Sequence, residues 1–216
     1  MAELIAGAAV AYAEAHTTPL EGRLREIAAW TSANTDAPQM MSGTAEARLL
    51  QALIVVSGAR RVLEVGTFTG LGTLAMAQAL APGGALVTLE VDEERAAVAR
   101  RHIEASPQRE RIELILGNAL ETIPGLDGPF DLVYIDAWKA DYPAYYDAVL
   151  PKLAERGIIV ADNLFRGGQA LDSQPGDEGT AGIREFARRV QEDDRVDNVL
   201  LTVGDGLMLA WRRSGP

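Results

Sequence analysis

The sequence predicts an α/β fold, in which a mostly parallel sheet follows a set of N-terminal helices and ends in an antiparallel hairpin. Three observations lead there. Apolar positions recur at helical spacing through the first 58 residues. From position 61 short apolar runs alternate with helical stretches, the signature of crossover units and a parallel sheet. Near the C-terminus two such runs are separated only by Val203-Gly204-Asp205-Gly206, a tight turn that reverses the chain.

Alanine-rich segments at 2–15 and 20–33 read as helices, separated by His16-Thr17-Thr18-Pro19, which stops one and restarts the next. Asn34-Thr35-Asp36-Ala37-Pro38 is a loop by composition. Thr44 precedes a third helix, AEARLLQALIVVSG, which Gly58 ends. Strands are expected at 61–65, 86–90, 112–116, 130–135 and 157–161, then at 197–203 and 206–211. Helices are expected at about 70–80, 93–105 and 140–154, with a shorter connection around 119–123. A Gly-, Asp- and Pro-rich loop from Gly167 to Gly179 leads into a last helix near 180–193. No internal repeat is visible, so one domain is expected over 1–216, with a helical part (1–58) and an α/β core (59–216).

A chain of 216 residues, 48% hydrophobic, is long enough for one sizeable core. No apolar run reaches the roughly 20 residues of a membrane helix, so no membrane partner is expected. MAELIAGAAVAYAEAH lacks a basic leading region and carries Glu3 and Glu14, so it reads as an amphipathic helix and not a signal peptide. With no cysteine there are no disulfides and no thiolate zinc sites, which fits the cytoplasm. A net charge of −11 without a basic stripe excludes a nucleic-acid partner. It suits small cationic or neutral ligands and a divalent metal, or solubility alone.

Three motifs carry chemistry. Val62-Leu63-Glu64-Val65-Gly66-Thr67-Phe68-Thr69-Gly70-Leu71-Gly72-Thr73 is a strand running into a glycine-rich turn and a helix, where a ligand can approach the backbone closely. Its G-x-x-x-G-x-G spacing differs from the G-x-G-x-x-G of a dinucleotide pyrophosphate site. Glu64 would put a carboxylate beside the ligand, which suits an ammonium and repels a phosphate, so an amino-acid-bearing nucleotide is indicated. Glu90, at the tip of the next strand, is a partner for a ribose diol, a device also found in nicotinamide enzymes. Third, the strand Phe130–Ile135 delivers Asp136, with Lys139 three positions on, and Ile158–Ala161 delivers Asp162-Asn163. If those strands are neighbours, two carboxylates and an amide oxygen converge as a hard, all-oxygen site for Mg²⁺, Ca²⁺ or Mn²⁺. Either aspartate alone would read as a helix cap.

At these residues the sequence resembles the cation-dependent O-methyltransferases, the family of catechol and caffeoyl-CoA O-methyltransferases and their bacterial relatives. The likeness spans about residues 38–211. It is carried by Met40-Met41-Ser42, the L-E-V-G-T-F-T-G block, Glu90, Gly117-Asn118-Ala119-Leu120, D-A-W-K at 136–139, A-D-N at 161–163 and V-G-D-G at 203–206. The resemblance implies a doubly wound, seven-stranded, Rossmann-like methyltransferase fold with a reversed final hairpin. It implies S-adenosylmethionine as methyl donor, with Glu64 on the methionine ammonium, Ser42, Gly66 and Thr67 lining that pocket, Glu90 on the ribose and Ala119 beside the adenine. Met41, Gly70, Gly72, Thr73 and Asp136 complete the implied cofactor set. Asp136, Asp162 and Asn163 would bind the metal, and Lys139 would be the general base.

Two positions depart from or divide the family. Gly72 stands where the family often has a serine that helps hold the methionine carboxylate, a contact Thr73 is the candidate to replace. Trp138 follows the animal catechol enzyme's D-x-W-K pattern, as a wall for a flat aromatic or as core packing. Leu164 to Asp177 match nothing assigned, although in this family that loop shapes the acceptor pocket. The acceptor implied is a small aromatic hydroxyl with two adjacent ligand atoms, as in catechols, hydroxycinnamates or hydroxyanthranilates. A homodimer is expected by family analogy and from the apolar N-terminal helices. A nicotinamide-dependent oxidoreductase and a non-catalytic nucleotide-binding module are the rival readings; neither accounts for Lys139 and the Asp136, Asp162, Asn163 trio.

Overall fold

β-Branched and aliphatic runs build the centre of the molecule. In the computed structural model, which describes residues 7–172, 174 and 176–213, they form one seven-stranded sheet. The strands are β1 (Arg61–Val65), β2 (Ala85–Glu90), β3 (Ile112–Leu116), β4 (Phe130–Ile135), β5 (Leu153–Ala161), β6 (Val196–Leu201) and β7 (Leu207–Arg212). Their order is β3-β2-β1-β4-β5-β7-β6. β1 to β5 run parallel, and β7 pairs antiparallel with both β5 and β6. The doubly wound sheet and the reversed hairpin are as expected. Chain order reverses between β1 and β4, which opens a crevice at the carboxyl ends of those strands.

The helices are α1 (Gly7–Ala15), α2 (Gly22–Asn34), α3 (Thr44–Ser57), α4 (Leu71–Ala79), α5 (Glu93–Glu104), α6 (Ala119–Thr122), α7 (Tyr142–Val149) and α8 (Glu178–Glu192). One sheet face buries Leu63, Val65, Val133, Ile135 and Ile159 against Tyr142, Tyr146, Ile183 and Phe186 of α7 and α8. The other buries Val62, Leu132, Tyr134 and Val160 against Leu50, Ile54, Met76 and Ala77 of α3 and α4. Covering both faces explains why the strands read as near-continuous apolar runs. Gly58 closes α3 in the left-handed conformation, φ 68°.

Most boundaries shift by one or two residues, and two differ by more. The helix expected at 140–154 stops at Val149, because Leu150-Pro151-Lys152 forms a 3₁₀ turn and Leu153 already pairs with Phe130. β5 is correspondingly longer than 157–161: its early residues Glu155 and Arg156 are exposed, and polar residues there concealed the strand. Residues 2–6 of the first expected helix, and 173 and 175 of the expected 167–179 loop, lie outside the described residues.

The N-terminal helices are tied to the glycine-rich turn by a buried polar seam. Thr31 of α2 shares a hydrogen bond with Thr69 between their hydroxyls, 2.8 Å, and His102 Nδ1 donates to the Thr69 carbonyl at 2.8 Å. Thr31 is fully buried. Its replacement by valine keeps the shape but strands the Thr69 hydroxyl, so Thr31→Val should cost about 1–2 kcal/mol. Chemical denaturation would read this as a lower midpoint with an unchanged slope.

Candidate active site

Parallel strands end where their ladders run out, and here the first amides beyond the strands continue the pairing. Gly66 N donates to the Leu89 carbonyl at 3.0 Å, Asp136 N to Val65 at 2.9 Å, Asp162 N to Ile135 at 3.1 Å, and Gly117 N to Glu90 at 2.8 Å. The residues just past β1, β3, β4 and β5 are thereby held in one row along the sheet's carboxyl edge. Above it lies a cleft of about 890 Å³. Met41, Ser42, Glu64, Gly66, Thr67, Gly72, Glu90, Ala119, Asp136, Lys139, Asp162 and Asn163 all line it. Gly66 has φ 102°, and a Cβ there would collide with the Asp136 carbonyl, so only glycine lets the tips of β1 and β4 close up.

Glu64 faces Thr88 and Tyr134 across its neighbouring strands. Its side chain is 1% exposed, and Oε2 accepts from the Thr88 hydroxyl at 2.6 Å and from the Thr73 hydroxyl. Burial pushes its pKa up to about 8, against hydrogen bonds from Thr73 and Thr88 that pull it down. Thr73 is therefore not on the cleft wall: one helical turn into α4, it points down at Glu64. A Cβ at Gly72 would stand 2.9 Å from Glu64 Oε1 and 3.6 Å from Ser42 Oγ. The departure at Gly72 thus leaves room for the Glu64 carboxylate. Gly70 faces Ala99 of α5 and also lies off the cleft wall.

Glu90 is 6% exposed and organises the turn around it. Oε2 accepts from Phe68 N at 2.8 Å, and Oε1 accepts from Val91 N and Asp92 N at 2.9 and 3.0 Å. These bonds fix Phe68 in a left-handed conformation, φ 51°.

β4 and β5 are neighbours in register, Ile135 opposite Ala161, so Asp136 and Asp162 emerge side by side. Asp162 is 2% exposed. Its carboxylate accepts from Asn163 N at 2.6 Å and from the Tyr134 hydroxyl at 3.2 Å. Burial first, and the Asp136 and Glu46 charges second, raise the Asp162 pKa well above the usual carboxylate range. Lys139 Nζ lies 2.6 Å from Asp136 Oδ1 and 2.9 Å from the Tyr142 hydroxyl. Tyr142 itself is pinned at the strand tips, donating toward the Ile135 and Asp162 carbonyls at 3.2 and 3.1 Å. Among the described residues no three His, Cys, Asp or Glu side chains form a metal-holding group. The trio instead offers two carboxylates and an amide, and its crowded, buried negative charge fits a hard divalent cation.

The sequence reading missed Glu46, Tyr134 and Tyr142, and it gave Asp205 no role. Glu46, on the first turn of α3, accepts from Gly43 N at 2.6 Å. It reaches the cleft beside Asp136 and Asp205, and burial raises its pKa. The capping spacing from Gly43 to Glu46 is visible in the sequence, but its approach to Asp136 is not. Tyr134 had a signal: two positions before Asp136, it lies on the same face of β4 as the strand's tip.

A nucleotide cleft at a topological switch point, with acids in place of phosphate-binding amides, defines an α/β enzyme built for an amino-acid-bearing nucleotide. A family model described as O-methyltransferase matches residues 14–213. The chain belongs to this O-methyltransferase family. It is 35% identical over 174 residues to a catechol O-methyltransferase of Niastella koreensis, covering 76% of this chain and 79% of that relative. The fold matches an O-methyltransferase from Bacillus cereus, solved in complex with SAH, at TM-score 0.88 and 32% identity, covering 95% and 97% of the two chains. It also matches the O-methyltransferase TomG from Streptomyces achromogenes, involved in tomaymycin synthesis and solved with SAM, at TM-score 0.87 and 30% identity, covering 96% of each chain. Family membership sets aside the oxidoreductase and the non-catalytic module.

Glu64 makes the cofactor-free protein sensitive to pH. Its folded pKa of about 8 lies above the ordinary 4.5, so the native state keeps a proton that the unfolded chain releases between those values. Stability is full below pH 4.5 on this account and falls as pH rises through 8. The melting temperature of cofactor-free protein should drop from pH 5 to pH 9, and Glu64→Gln should flatten the decline. A wild-type melting temperature that rose over that range would contradict the assignment.

Proposed function

We infer that this chain transfers the methyl group of S-adenosylmethionine to one hydroxyl of a small catechol-like aromatic, with a divalent cation, Mg²⁺ first among candidates. The observation that carries the reading is the convergence of Asp136, Asp162 and Asn163 beside Lys139, in the cofactor cleft. The catechol O-methyltransferase of Niastella koreensis supports the acceptor class, and the SAH- and SAM-bound neighbours support the donor.

In this reading Glu64 holds the methionine ammonium from below, beside Ser42, Gly66 and Gly72, and Met41 and Thr67 wall the same pocket. Glu90 uses its remaining lone pairs for the ribose hydroxyls, and Ala119 borders the adenine. Asp136, Asp162 and Asn163 would hold the cation, which when bound supplies Lewis acidity that favours the ionised hydroxyl of a vicinal pair. Lys139 is the general base that takes the hydroxyl proton on Nζ. The hydroxyl oxygen forms the new O–CH₃ bond as the methyl–sulfur bond breaks, and the sulfonium leaves as the neutral thioether of S-adenosylhomocysteine. Tyr142 and Asp136 aim Lys139 at that proton, since both bond Nζ. Trp138, 60% exposed at the cleft, offers a flat wall for the ring.

A homodimer belongs to the same reading. Val10 and Tyr12 of α1 and Val55 and Val56 of α3 are apolar and exposed, Val56 at 87%. Light scattering should return twice the chain mass; a monomer at micromolar concentration would refute it.

Lys139→Met should lower kcat by about 10²–10⁴-fold, the usual contribution of a positioned base, while S-adenosylhomocysteine affinity holds. Asp162→Ala should abolish the Mg²⁺-dependent methylation of catechol, followed by mass spectrometry of the methylated product. Wild-type turnover that persisted in EDTA would rule out the cation.

A further inference from the structure

The segment that begins at Asn163 has an unusual backbone. Asn163, Arg166, Gly167 and Gly168 all have positive φ, at 61°, 49°, 60° and 93°. Two of these carry side chains, for which the left-handed region is disfavoured, so the segment does not hold this shape by local preference. Hydrogen bonds within the segment close its turns, Arg166 N to the Asn163 carbonyl at 3.1 Å and Gly168 N to the Phe165 carbonyl at 2.9 Å, and the turn between β6 and β7 anchors it from outside. Leu164 N donates to the Gly206 carbonyl at 3.0 Å, and Phe165 N to the Asp205 carbonyl at 2.7 Å. Beyond Phe165 the backbone of the turn no longer reaches. There the Asp205 carboxylate takes over, accepting Gly167 N on Oδ1 at 2.8 Å and on Oδ2 at 3.0 Å.

The far side of the segment is held differently. Arg166 pairs with Asp177, the N-cap of α8, at 2.7 Å, but that carboxylate is 55% exposed and such pairs contribute little. Asp205 is half-buried and lines the cleft together with Asn163 and Arg166. Its bond is the inner anchor.

We propose that Asp205 is a positioning residue for the acceptor side of the cleft: its carboxylate, by clasping the Gly167 amide, keeps the left-handed segment 163–168 in place and with it the Asn163 side chain and the Arg166 wall. This rests on the functional reading above only for what Asn163 and Arg166 face; the clasp itself stands on geometry. The hydrogen bonds of Glu64 and Glu90 go to Thr73, Thr88 and the amides of Phe68, Val91 and Asp92, none of them in the turn between β6 and β7, so loss of the clasp should spare the cofactor contacts.

The test compares Asp205→Ala with Asp205→Asn, which keeps an oxygen for Gly167 but removes the charge. Asp205→Ala should raise the catechol KM and the Mg²⁺ concentration for half-maximal rate about 10-fold, as loss of an outer-shell partner does. Calorimetric S-adenosylhomocysteine affinity should stay within about twofold, as for an independent site. Asp205→Asn should recover most of the loss. Amide hydrogen exchange on the protein without acceptor or metal should find Gly167 protected in wild type and in Asp205→Asn, and fast in Asp205→Ala. An unprotected Gly167 amide in the wild-type chain would overturn the proposal without any variant. So would Asp205→Asn being as impaired as Asp205→Ala, since charge and not the bond would then be at work. Exchange and S-adenosylhomocysteine binding need no acceptor. If wild type ignores catechols while the exchange pattern holds, the acceptor reading fails and the clasp survives.

Discussion

A parallel strand ends with polar groups that need partners, and in this protein the neighbouring strand tips satisfy one another. Each amide just past β1, β4 and β5 donates to the last or penultimate carbonyl of the adjacent strand, as does that after β3. This staircase fixes the spacing of Glu90, Gly66, Asp136 and Asp162 to the spacing of strands in a sheet, a little under 5 Å per step. The functional groups are therefore placed by backbone pairing, which is rigid, and not by loops. Gly66 shows how tight the arrangement is: β1 and β4 approach so closely past their ends that no side chain fits between them.

The second constraint is electrostatic. Glu46, Asp136, Asp162 and Asp205 all line one end of the cleft, and Lys139 is bonded to only one of them, Asp136. Burial and mutual repulsion raise Glu46 and Asp162 above the usual carboxylate range. Carboxylates so arranged weaken the fold, and they persist because the core is extensive, with Tyr134, Tyr142, Tyr146 and Phe186 fully buried in it. Such local conflict with good packing marks a working site. Along the same cleft, Glu64 is held by Thr73 and Thr88, and Glu90 is engaged largely in organising the turn it borders. One acid of that pair is protonated easily and the other already accepts three backbone amides, so two similar residues in sequence have different physical characters.

Most of the fold was legible because its signals are local. Alternating apolar runs and helical stretches, the Gly58 stop and the Val203–Gly206 turn each depend on residues within a few positions of one another. The helix expected through 154 failed for the same reason: Leu150 and Leu153 keep a helical spacing, while the pairing of Leu153 with Phe130 is non-local. The strand-end acids were legible too, since a residue that follows an apolar run sits at a strand tip wherever that strand lies in the sheet.

What the sequence determined by itself was the set of strands, the identity of the residues at their tips and the order of motifs that marks an O-methyltransferase. Which tips are adjacent, and which side chains reach them from elsewhere, only the tertiary structure decided. Thr73 and Gly70 stand within the glycine-rich motif yet do not line the cleft: the Thr73 hydroxyl bonds Glu64 from behind its wall, and Gly70 packs against α5. Glu46 and Asp205, about 90 and 70 residues from Asp136 in opposite directions along the chain, come to its side. The reason is that side-chain direction and strand neighbours are set by register and packing across the whole sheet, which residue spacing along the chain does not encode.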